Sequence, residues 1–162
     1  MSNLSNTYLL DGNVFDEILI NAELKRLVFK LSDLGQINLI CTHIESDEID
    51  SIPSEKANKW AEINILKHQL KARKVPVSGV MLDISKLGES KFISHNEMKI
   101  LETSINGNSD FINDSALALT AKENQATLVT NDIKLLKKAV SIIGAKAINC
   151  QAFGATLRNL ER

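Results

Sequence analysis

The sequence is short of several features that mark particular classes of protein. Aromatic residues make up only 4% of its 162 residues, so an extended platform of rings for stacking nucleic-acid bases is not expected. Nineteen basic and twenty acidic residues leave a formal charge of -1, so any binding of a polyanion must come from a local patch. What remains is an ordinary globular composition, with 44% hydrophobic residues, in a chain long enough for one domain with its own core.

Cysteine and long apolar runs are also scarce. Cys41 and Cys150 have no Cys-x-x-Cys spacing and no histidine pair beside them, which argues against a zinc site. We expect both thiols to be reduced, in a cytoplasmic protein. The N-terminal segment lacks a basic stretch followed by a long apolar core, and no apolar run approaches membrane-spanning length. Neither a signal peptide nor a membrane span is therefore predicted.

Short apolar runs alternate with segments of helical periodicity. We predict strands at residues 7–10, 37–41, 126–130 and 145–149, and helices at residues 22–35, 54–74, 96–105, 111–125, 133–142 and 152–160, with another helix beginning at Thr42. Continuously apolar strands alternating with helices indicate an α/β fold with a parallel sheet covered on both faces. We expect a single domain over residues 1–162, with a helical and loop elaboration at about residues 53–95.

Acidic residues occur where the predicted strands end. Asp11 follows the first strand, and Asp132 follows the strand at 126–130. Asp114 lies in the first turn of the helix before that strand, and Glu48 lies two turns into the helix that begins at Thr42. Parallel strands present their carboxyl ends at one edge of the sheet, where ligands bind. We therefore expect these four carboxylates to gather at that edge.

Gathered carboxylates repel one another, so such a cluster needs a neutralising group. Ligand sets made only of oxygen atoms suit Mg²⁺ or Mn²⁺ rather than zinc. These ions polarise phosphoryl groups and activate water, which is the chemistry that phosphodiester hydrolysis requires. The pattern of acids therefore predicts a divalent-metal site suited to that reaction.

Each of these acids also has a purely structural interpretation. Asp11 stands in an Asp-Gly sequence typical of turns, and Asp132 is placed to cap the helix that follows it. Asp114 would complement the dipole of its helix, for which Ser109 or Asp110 would be a sufficient cap. The site interpretation is favoured because the carboxylates converge from separate parts of the chain.

The segment after the second strand offers three candidate acids. Glu45, Asp47 and Glu48 lie within one helical turn, and Glu45 completes a Thr42-x-x-Glu capping box. We assign the site role to Glu48, while Glu45 and Asp47 stay as alternatives.

Three segments together resemble the PIN-domain nucleases, many of which are VapC-like toxins of bacterial toxin–antitoxin pairs. They are YLLDGNVF (8–15), CTHIESDEID (41–50) and NDSALALTAKENQATLVTNDIKLL (113–136). The resemblance implies a three-layer fold with sheet order 3-2-1-4-5 and a Mg²⁺- or Mn²⁺-dependent endoribonuclease. It implies that Asp11, Glu48, Asp114 and Asp132 surround the metal, while Asn13 and Thr130 hydrogen-bond the acids or their waters.

The resemblance also implies partners: RNA as substrate, an antitoxin protein as inhibitor, and in some relatives a second copy of the chain. Near the expected metal site, Lys134, Lys137 and Lys138 are candidates for contacts with the RNA backbone. The basic stretch at 67–74 is better interpreted as the solvated end of a helix.

Three rival functions deserve comparison. A phosphatase of the haloacid dehalogenase type needs a second Asp two residues after the first, where this chain has Asn13. A response-regulator receiver needs paired acids after the first strand, which are absent. The remaining rival is a catalytically silent module that keeps the PIN fold and binds RNA or protein.

Overall fold

A computed structural model describes residues 6–51, 53–79, 89–108 and 111–162, without the side chain of Glu48. The strands are β1 Asn6–Leu10, β2 Ile37–Cys41, β3 Arg73–Lys74, β4 Val77–Ser78, β5 Ser90–Lys91, β6 Thr127–Val129 and β7 Lys146–Ile148. The helices are α1 Gly12–Ile20, α2 Ala22–Asp33, α3 His43–Asp50, α4 Ala57–Leu70, α5 His95–Ile105, α6 Ile112–Glu123, α7 Ile133–Lys138 and α8 Cys150–Glu161. A 3₁₀ turn at Ser54–Lys56 precedes α4, and a π-helical turn at Ala139–Ile143 extends α7.

Five parallel strands form the main sheet in the order β3-β2-β1-β6-β7. If only these five are numbered along the chain, the order is the predicted 3-2-1-4-5, so that prediction is confirmed. The strands β4 and β5 form a separate parallel pair. Because β1 pairs with β2 on one side and β6 on the other, the carboxyl ends of these three strands are neighbours.

Both faces of the sheet are covered, which explains the consecutive apolar residues of its central strands, such as Tyr8, Leu9 and Leu10 of β1. Tyr8 and Leu10 pack into a core that includes Phe15 of α1 and Phe153 of α8. Leu9 points the other way, into a second core formed with α5, α6 and α7. Full burial of one such side chain stabilises the fold by about 1.5–3 kcal/mol. The result is the expected arrangement of helix, sheet and helix layers.

The structure corrects three details of the predicted elements. Helix α1 was not predicted; it begins directly after Asp11, which acts as its N-cap. The helix predicted at 54–74 was too long, because Lys71 adopts a left-handed conformation, with φ of 50°, and the two residues of β3 then pair with β2. The helix predicted at 133–142 is α-helical only over Ile133–Lys138, and a π-helical turn at Ala139–Ile143 follows it.

The structure also bears on the cysteines, the cap of α6 and the membrane expectation. Cys41 and Cys150 are both buried and unpaired. Ser109 and Asp110, the expected caps of α6, lie outside the described residues. Within the described ranges, no helix combines the length and apolar character needed to cross a bilayer.

Candidate functional site: an acidic sheet edge

The carboxyl edge of the sheet brings together residues from four parts of the chain. We call this place the acidic edge: Asp11 after β1, Glu45 in the first turn of α3, Asp114 in the first turn of α6, and Asp132 after β6. The charge of Asp132 raises the pKa of Asp11, and the charges of both raise the pKa of Asp114. These mutual effects show that three of the four predicted acids lie within one another's electrostatic field.

Asp11 is the most firmly held of these acids. One carboxylate oxygen, Oδ1, accepts a hydrogen bond from the backbone N–H of Gly12 at 2.7 Å. The other, Oδ2, accepts from Asn13 Nδ2 and from the hydroxyl of Thr130, each at 2.6 Å. Burial is the main influence on its pKa and raises it, against the lowering effect of these three hydrogen bonds. Both oxygens of Asp11 are therefore fixed in place by donors.

Asn13 and Thr130 tie the two central strand ends together. Besides donating to Asp11, the Thr130 hydroxyl accepts from the backbone N–H of Asp132 at 3.0 Å. The Asn13 carboxamide accepts from the backbone N–H of Asn131 through its Oδ1 at 3.1 Å. Both side chains therefore hydrogen-bond the carboxylate of Asp11 and the backbone that leads to Asp132.

Asp132 has a structural role and still leaves one oxygen available. Its Oδ1 caps α7 by accepting from the backbone N–H groups of Lys134 and Leu135, at 2.7 and 3.1 Å. No described residue donates a hydrogen bond to Oδ2. The capping interpretation and the site interpretation of Asp132 are therefore compatible.

Asp114 differs from Asp11 because none of the described residues donates a hydrogen bond to its carboxylate. It is half-buried in the first turn of α6. Burial raises its pKa most, and the positive charge of Lys138 lowers it. Both oxygens of Asp114 are therefore without a donor among the described residues, and Lys138 is the nearby positive charge that stabilises them.

The structure brings Glu45, the alternative to Glu48, to the acidic edge. Its side chain is 0% exposed; Oε2 accepts from the backbone N–H of Thr42 at 2.9 Å and from the Thr42 hydroxyl. Oε1 is buried without a donor among the described residues. Burial raises the pKa of Glu45 to about 7, hydrogen bonds from Thr42 oppose this, and Asp11 raises it further.

The capping box carried a signal that identifies Glu45. An N3 glutamate that accepts from the N-cap backbone must turn its carboxylate back toward the start of the helix. Here the N-cap, Thr42, directly follows β2, so the carboxylate is returned to the strand end. Glu48 lies in α3, but its side chain is outside the described part of the structure, so its assignment stays a prediction.

Lys138 is a buried cation at the acidic edge. Only 9% of the residue is exposed, and its Nζ has no hydrogen-bond acceptor among the described residues. The ammonium lies 3.7 Å from the centroid of the Phe111 ring, a cation–π contact. Burial lowers its pKa most, while the charges of Asp114 and Asp132 raise it.

The burial of Lys138 corrects its expected role. An ammonium closed to solvent does not meet an RNA backbone, so Lys138 is better described as a counter-ion for Asp114 and Asp132. Lys134 and Lys137, by contrast, are exposed on α7. Their side chains extend from the helix that Asp132 caps, in keeping with the predicted RNA-facing position.

The donor set of the acidic edge fits a hydrated divalent cation. Among the side chains that the structure describes, no three acids, histidines or cysteines are arranged to hold a metal ion together. Mg²⁺, however, is usually held by one or two carboxylates and keeps several waters. The oxygens of Asp114 and Asp132 that have no described donor are of that kind, whereas Oε1 of Glu45 is enclosed.

Comparisons with known proteins identify the fold. No protein-family model and no curated protein matches the sequence. The chain is similar to the crystal structure of PAE2754 from Pyrobaculum aerophilum, with a TM-score of 0.53, 16% identity, and coverage of 96% of this chain and 98% of the other. It also matches the structure of FitAcB from Neisseria gonorrhoeae, with a TM-score of 0.43, 18% identity, and coverage of 88% and 96%.

At such low identity the likeness to PAE2754 shows a fold and nothing further. Together with the order of the five parallel strands and the two helical layers, it establishes that this chain has a PIN-like three-layer α/β fold.

Proposed function

We propose that this protein is a Mg²⁺- or Mn²⁺-dependent endoribonuclease that hydrolyses phosphodiester bonds in RNA. The observation that carries the proposal is the acidic edge itself. There the charge of Asp132 raises the pKa of Asp11, and the charges of both raise the pKa of Asp114. Buried polar atoms of Glu45 and Lys138 also lack hydrogen-bond partners among the described residues. Such an arrangement is costly for folding, which favours a functional reason for keeping it.

The hydrogen bonds assign different tasks to the acids. A bound Mg²⁺ or Mn²⁺ supplies Lewis-acid polarisation of the phosphate and activation of water. Asp114 and Asp132 have oxygens without described donors, so we assign them to hold the ion. Asp11 contributes its charge from a position fixed by Asn13 and Thr130.

The acid from α3 has two candidates. Glu48 is a candidate because of its place in the motif. Glu45 is a candidate because it is buried and because the charge of Asp11 raises its pKa. Substituting each by Gln separates them, since only the acid that serves the metal site would be needed for cleavage.

For RNA binding we propose Lys134 and Lys137. Both are exposed on α7, whose N-cap is Asp132. Ammonium groups so close to the acids would neutralise backbone phosphates on either side of the cleaved bond. Replacing each by Gln should weaken RNA binding and reduce its dependence on salt.

We further propose that the protein is the toxin component of a toxin–antitoxin pair, acting in the cytoplasm. The support is the resemblance of its three motifs to VapC-like proteins. An antitoxin segment that inserts a basic side chain among Asp11, Asp114 and Asp132 would neutralise their repulsion and block the metal. Association of two copies of the chain is proposed on the same resemblance alone.

The proposed activity is tested by cleavage of single-stranded and structured RNA in Mg²⁺ or Mn²⁺. The native protein is compared with Asp11→Asn and with the matched control Asp33→Asn, which changes an exposed residue at the end of α2. Cleavage that needs the metal, is lost in Asp11→Asn and is kept in Asp33→Asn is the expected result. Equal cleavage by all three proteins would contradict the proposal.

A catalytically silent PIN-fold module that binds RNA or protein is the second candidate. It is favoured by one observation: the buried ammonium of Lys138 already lies in the field of Asp114 and Asp132 and offsets part of their charge without a metal ion. Absence of cleavage across several RNAs, with RNA or protein binding retained, would select this function.

A further inference from the structure

An open cavity of about 390 Å³ lies beside the acidic edge. It is lined by the junction of α1 and α2, by the start of α8, and by Asn131, the residue that precedes Asp132. Its volume is in the range of sites that take small organic groups. Nothing in the proposed metal chemistry uses this cavity, so it needs an explanation of its own.

Two carboxamides at the cavity have fixed orientations. Asn21 caps α2 by accepting from the backbone N–H of Leu24 at 3.0 Å, and Asn149 caps α8 by accepting from the backbone N–H of Ala152 at 2.8 Å. Because each carbonyl oxygen is used by a helix, the amide nitrogen of each side chain is identified. No described residue accepts a hydrogen bond from either NH₂ group, so both are available to a ligand.

The charged groups at the cavity argue against a phosphate as that ligand. Glu17 and Glu23 contribute two carboxylates, and Arg158 contributes one guanidinium, which already pairs with Glu23 at 3.3 Å. The lining thus has a net negative charge, which would repel an anion. It offers amide donors together with carboxylate acceptors, and a neutral heterocycle with both kinds of group, such as a nucleobase, matches that combination.

The cavity is joined to the acidic edge through Asn131. The backbone N–H of Asn131 donates to Asn13 at 3.1 Å, and its Oδ1 accepts from the backbone N–H of Cys150 at 3.1 Å. One residue therefore connects the floor of the cavity both to the group that holds Asp11 and to the first turn of α8. A strand of RNA whose phosphate lies at the acids would have a neighbouring base within reach of the cavity.

We propose that this cavity binds a nucleobase of single-stranded RNA, adjacent to the phosphate that is cleaved. Sequence-specific recognition of RNA commonly uses unstacked bases whose edges are hydrogen-bonded by side chains. The NH₂ groups of Asn21 and Asn149 donate to base acceptors, and the carboxylates of Glu17 and Glu23 accept from base amino groups. The position next to the scissile phosphate rests on the proposed nuclease function, whereas base binding itself does not.

The test uses neutral ribonucleosides and the full chain without divalent metal. Side-chain NH₂ signals of Asn21 and Asn149 are followed by ¹⁵N–¹H NMR while each of the four ribonucleosides, or inorganic phosphate, is added at millimolar concentration. At least one nucleoside should shift these signals saturably, and phosphate should not. No saturable shift with any nucleoside, or the same shift with phosphate, would overturn the proposal.

Matched variants locate the binding. The double variant Asn21→Ser/Asn149→Ser keeps both helix caps, since serine caps about as well as asparagine, but removes both NH₂ groups. Nucleoside affinity, followed through backbone signals of α8, should fall at least about fivefold. Asn159→Ser, an exposed position on the same helix, should leave affinity unchanged. Equal affinity in the double variant and the native protein would contradict the assignment.

A third variant fills the space instead of removing donors. A Cβ atom at Gly154 would lie 3.8 Å from Leu24 Cδ1 and 3.9 Å from Arg158 Nη1, which is ordinary contact. Because Gly154 lines the cavity, we expect the larger side chain of Gly154→Leu to fill part of that space. Loss of nucleoside binding is expected, and retention would overturn the proposal. None of these measurements involves cleavage, so the two proposals can fail separately. Nucleoside binding without RNase activity would reject the nuclease and keep the base site. RNase activity without nucleoside binding would reject the base site and keep the nuclease.

Discussion

Two helices of this protein begin with the same capping motif, in different surroundings. In α3, Glu45 accepts from the backbone N–H of Thr42 at 2.9 Å; in α5, Glu97 accepts from the backbone N–H of Ser94 at 2.6 Å. Glu45 is fully buried, and its pKa is raised to about 7, mainly by burial. Glu97 is partly exposed, and its pKa is lowered, first by a hydrogen bond with Glu123 and then by those from Ser94.

The difference shows what a local motif determines and what the fold adds. The motif fixes where each helix starts, in both cases by the same pair of hydrogen bonds. The position of α3 after a central strand takes Glu45 out of water and places it in the field of Asp11. Identical substitutions at the acidic edge and elsewhere should therefore have very different effects, and matched pairs can test this.

The largest difference is expected between Asp114→Asn and Asp33→Asn. Asp114 shares the field of the other acids, whereas Asp33 is exposed at the end of α2. We expect Asp114→Asn to reduce metal-dependent RNA cleavage at least about 100-fold, because it removes a proposed metal ligand. Asp33→Asn should cleave at the native rate. Initial rates at saturating Mn²⁺ measure both, and similar rates would remove Asp114 from the site.

Glu45→Gln and Glu97→Gln compare the two capping boxes directly. The pKa of Glu45 is raised from 4.5 to about 7 in the folded protein. Protonated Glu45 therefore contributes stability that is fully present below about pH 4.5 and is lost as the pH rises through about 7. The loss is on the order of 3 kcal/mol. Metal-free Glu45→Gln should therefore show a flatter pH dependence of the unfolding free energy between pH 5 and 8.

Urea unfolding at a series of pH values measures this effect. Gln is accepted in a capping box, so both variants should fold. Glu97→Gln should keep the native pH slope across the same interval. If Glu45→Gln also keeps that slope, burial does not control the ionisation of Glu45.

A smaller effect is expected from Thr130→Val, paired with Thr103→Val. The Thr130 hydroxyl donates to Asp11 and accepts from the backbone N–H of Asp132, whereas Thr103 is exposed and donates only to the carbonyl of Lys99. We expect Thr130→Val to lower stability by about 1–3 kcal/mol and Mn²⁺ affinity by about tenfold. Urea unfolding and calorimetry measure the two quantities, and a native-like Thr130→Val would contradict the supporting role.

The smallest expected effect is that of Lys138→Met, which should strengthen Mn²⁺ binding where the preceding substitutions weaken it. Removing the buried ammonium leaves Asp114 and Asp132 without their counter-ion, so Mn²⁺ should bind about fivefold more tightly, a gain of about 1 kcal/mol. The metal-free variant should be less stable than the native protein. Lys137→Met, at the exposed neighbouring position, should change neither property, and weaker Mn²⁺ binding in Lys138→Met would contradict the counter-ion role.

The sequence predicted the parts of the fold that depend on short, continuous apolar runs. Most side chains of residues 37–41 and 126–130 are buried, on both faces of the sheet, which explains their apolar character. The strand order followed from the resemblance. The two residues of β3 could not be predicted, because Arg73 and Lys74 favour helix and become a strand only by pairing with β2. Pairing of this kind depends on tertiary structure and leaves no local signal.

The candidate site was predictable to a similar extent. Asp11 and Asp132 stand at strand ends, so their convergence followed from the parallel sheet. The burial of Lys138 was not predictable, because it depends on how Phe111 and α6 pack against α7. A lysine six residues beyond Asp132 looks solvated in sequence, and only the packing shows that its ammonium is enclosed.

The claim that a divalent cation binds at the acidic edge is tested most directly by calorimetric titration of the metal-free protein with Mn²⁺. The native protein is compared with Asp114→Asn and with Asp33→Asn. We predict saturable binding by the native protein and by Asp33→Asn, and affinity at least about tenfold weaker in Asp114→Asn. Absence of saturable binding in the native protein, or equal affinity in all three proteins, would contradict the claim.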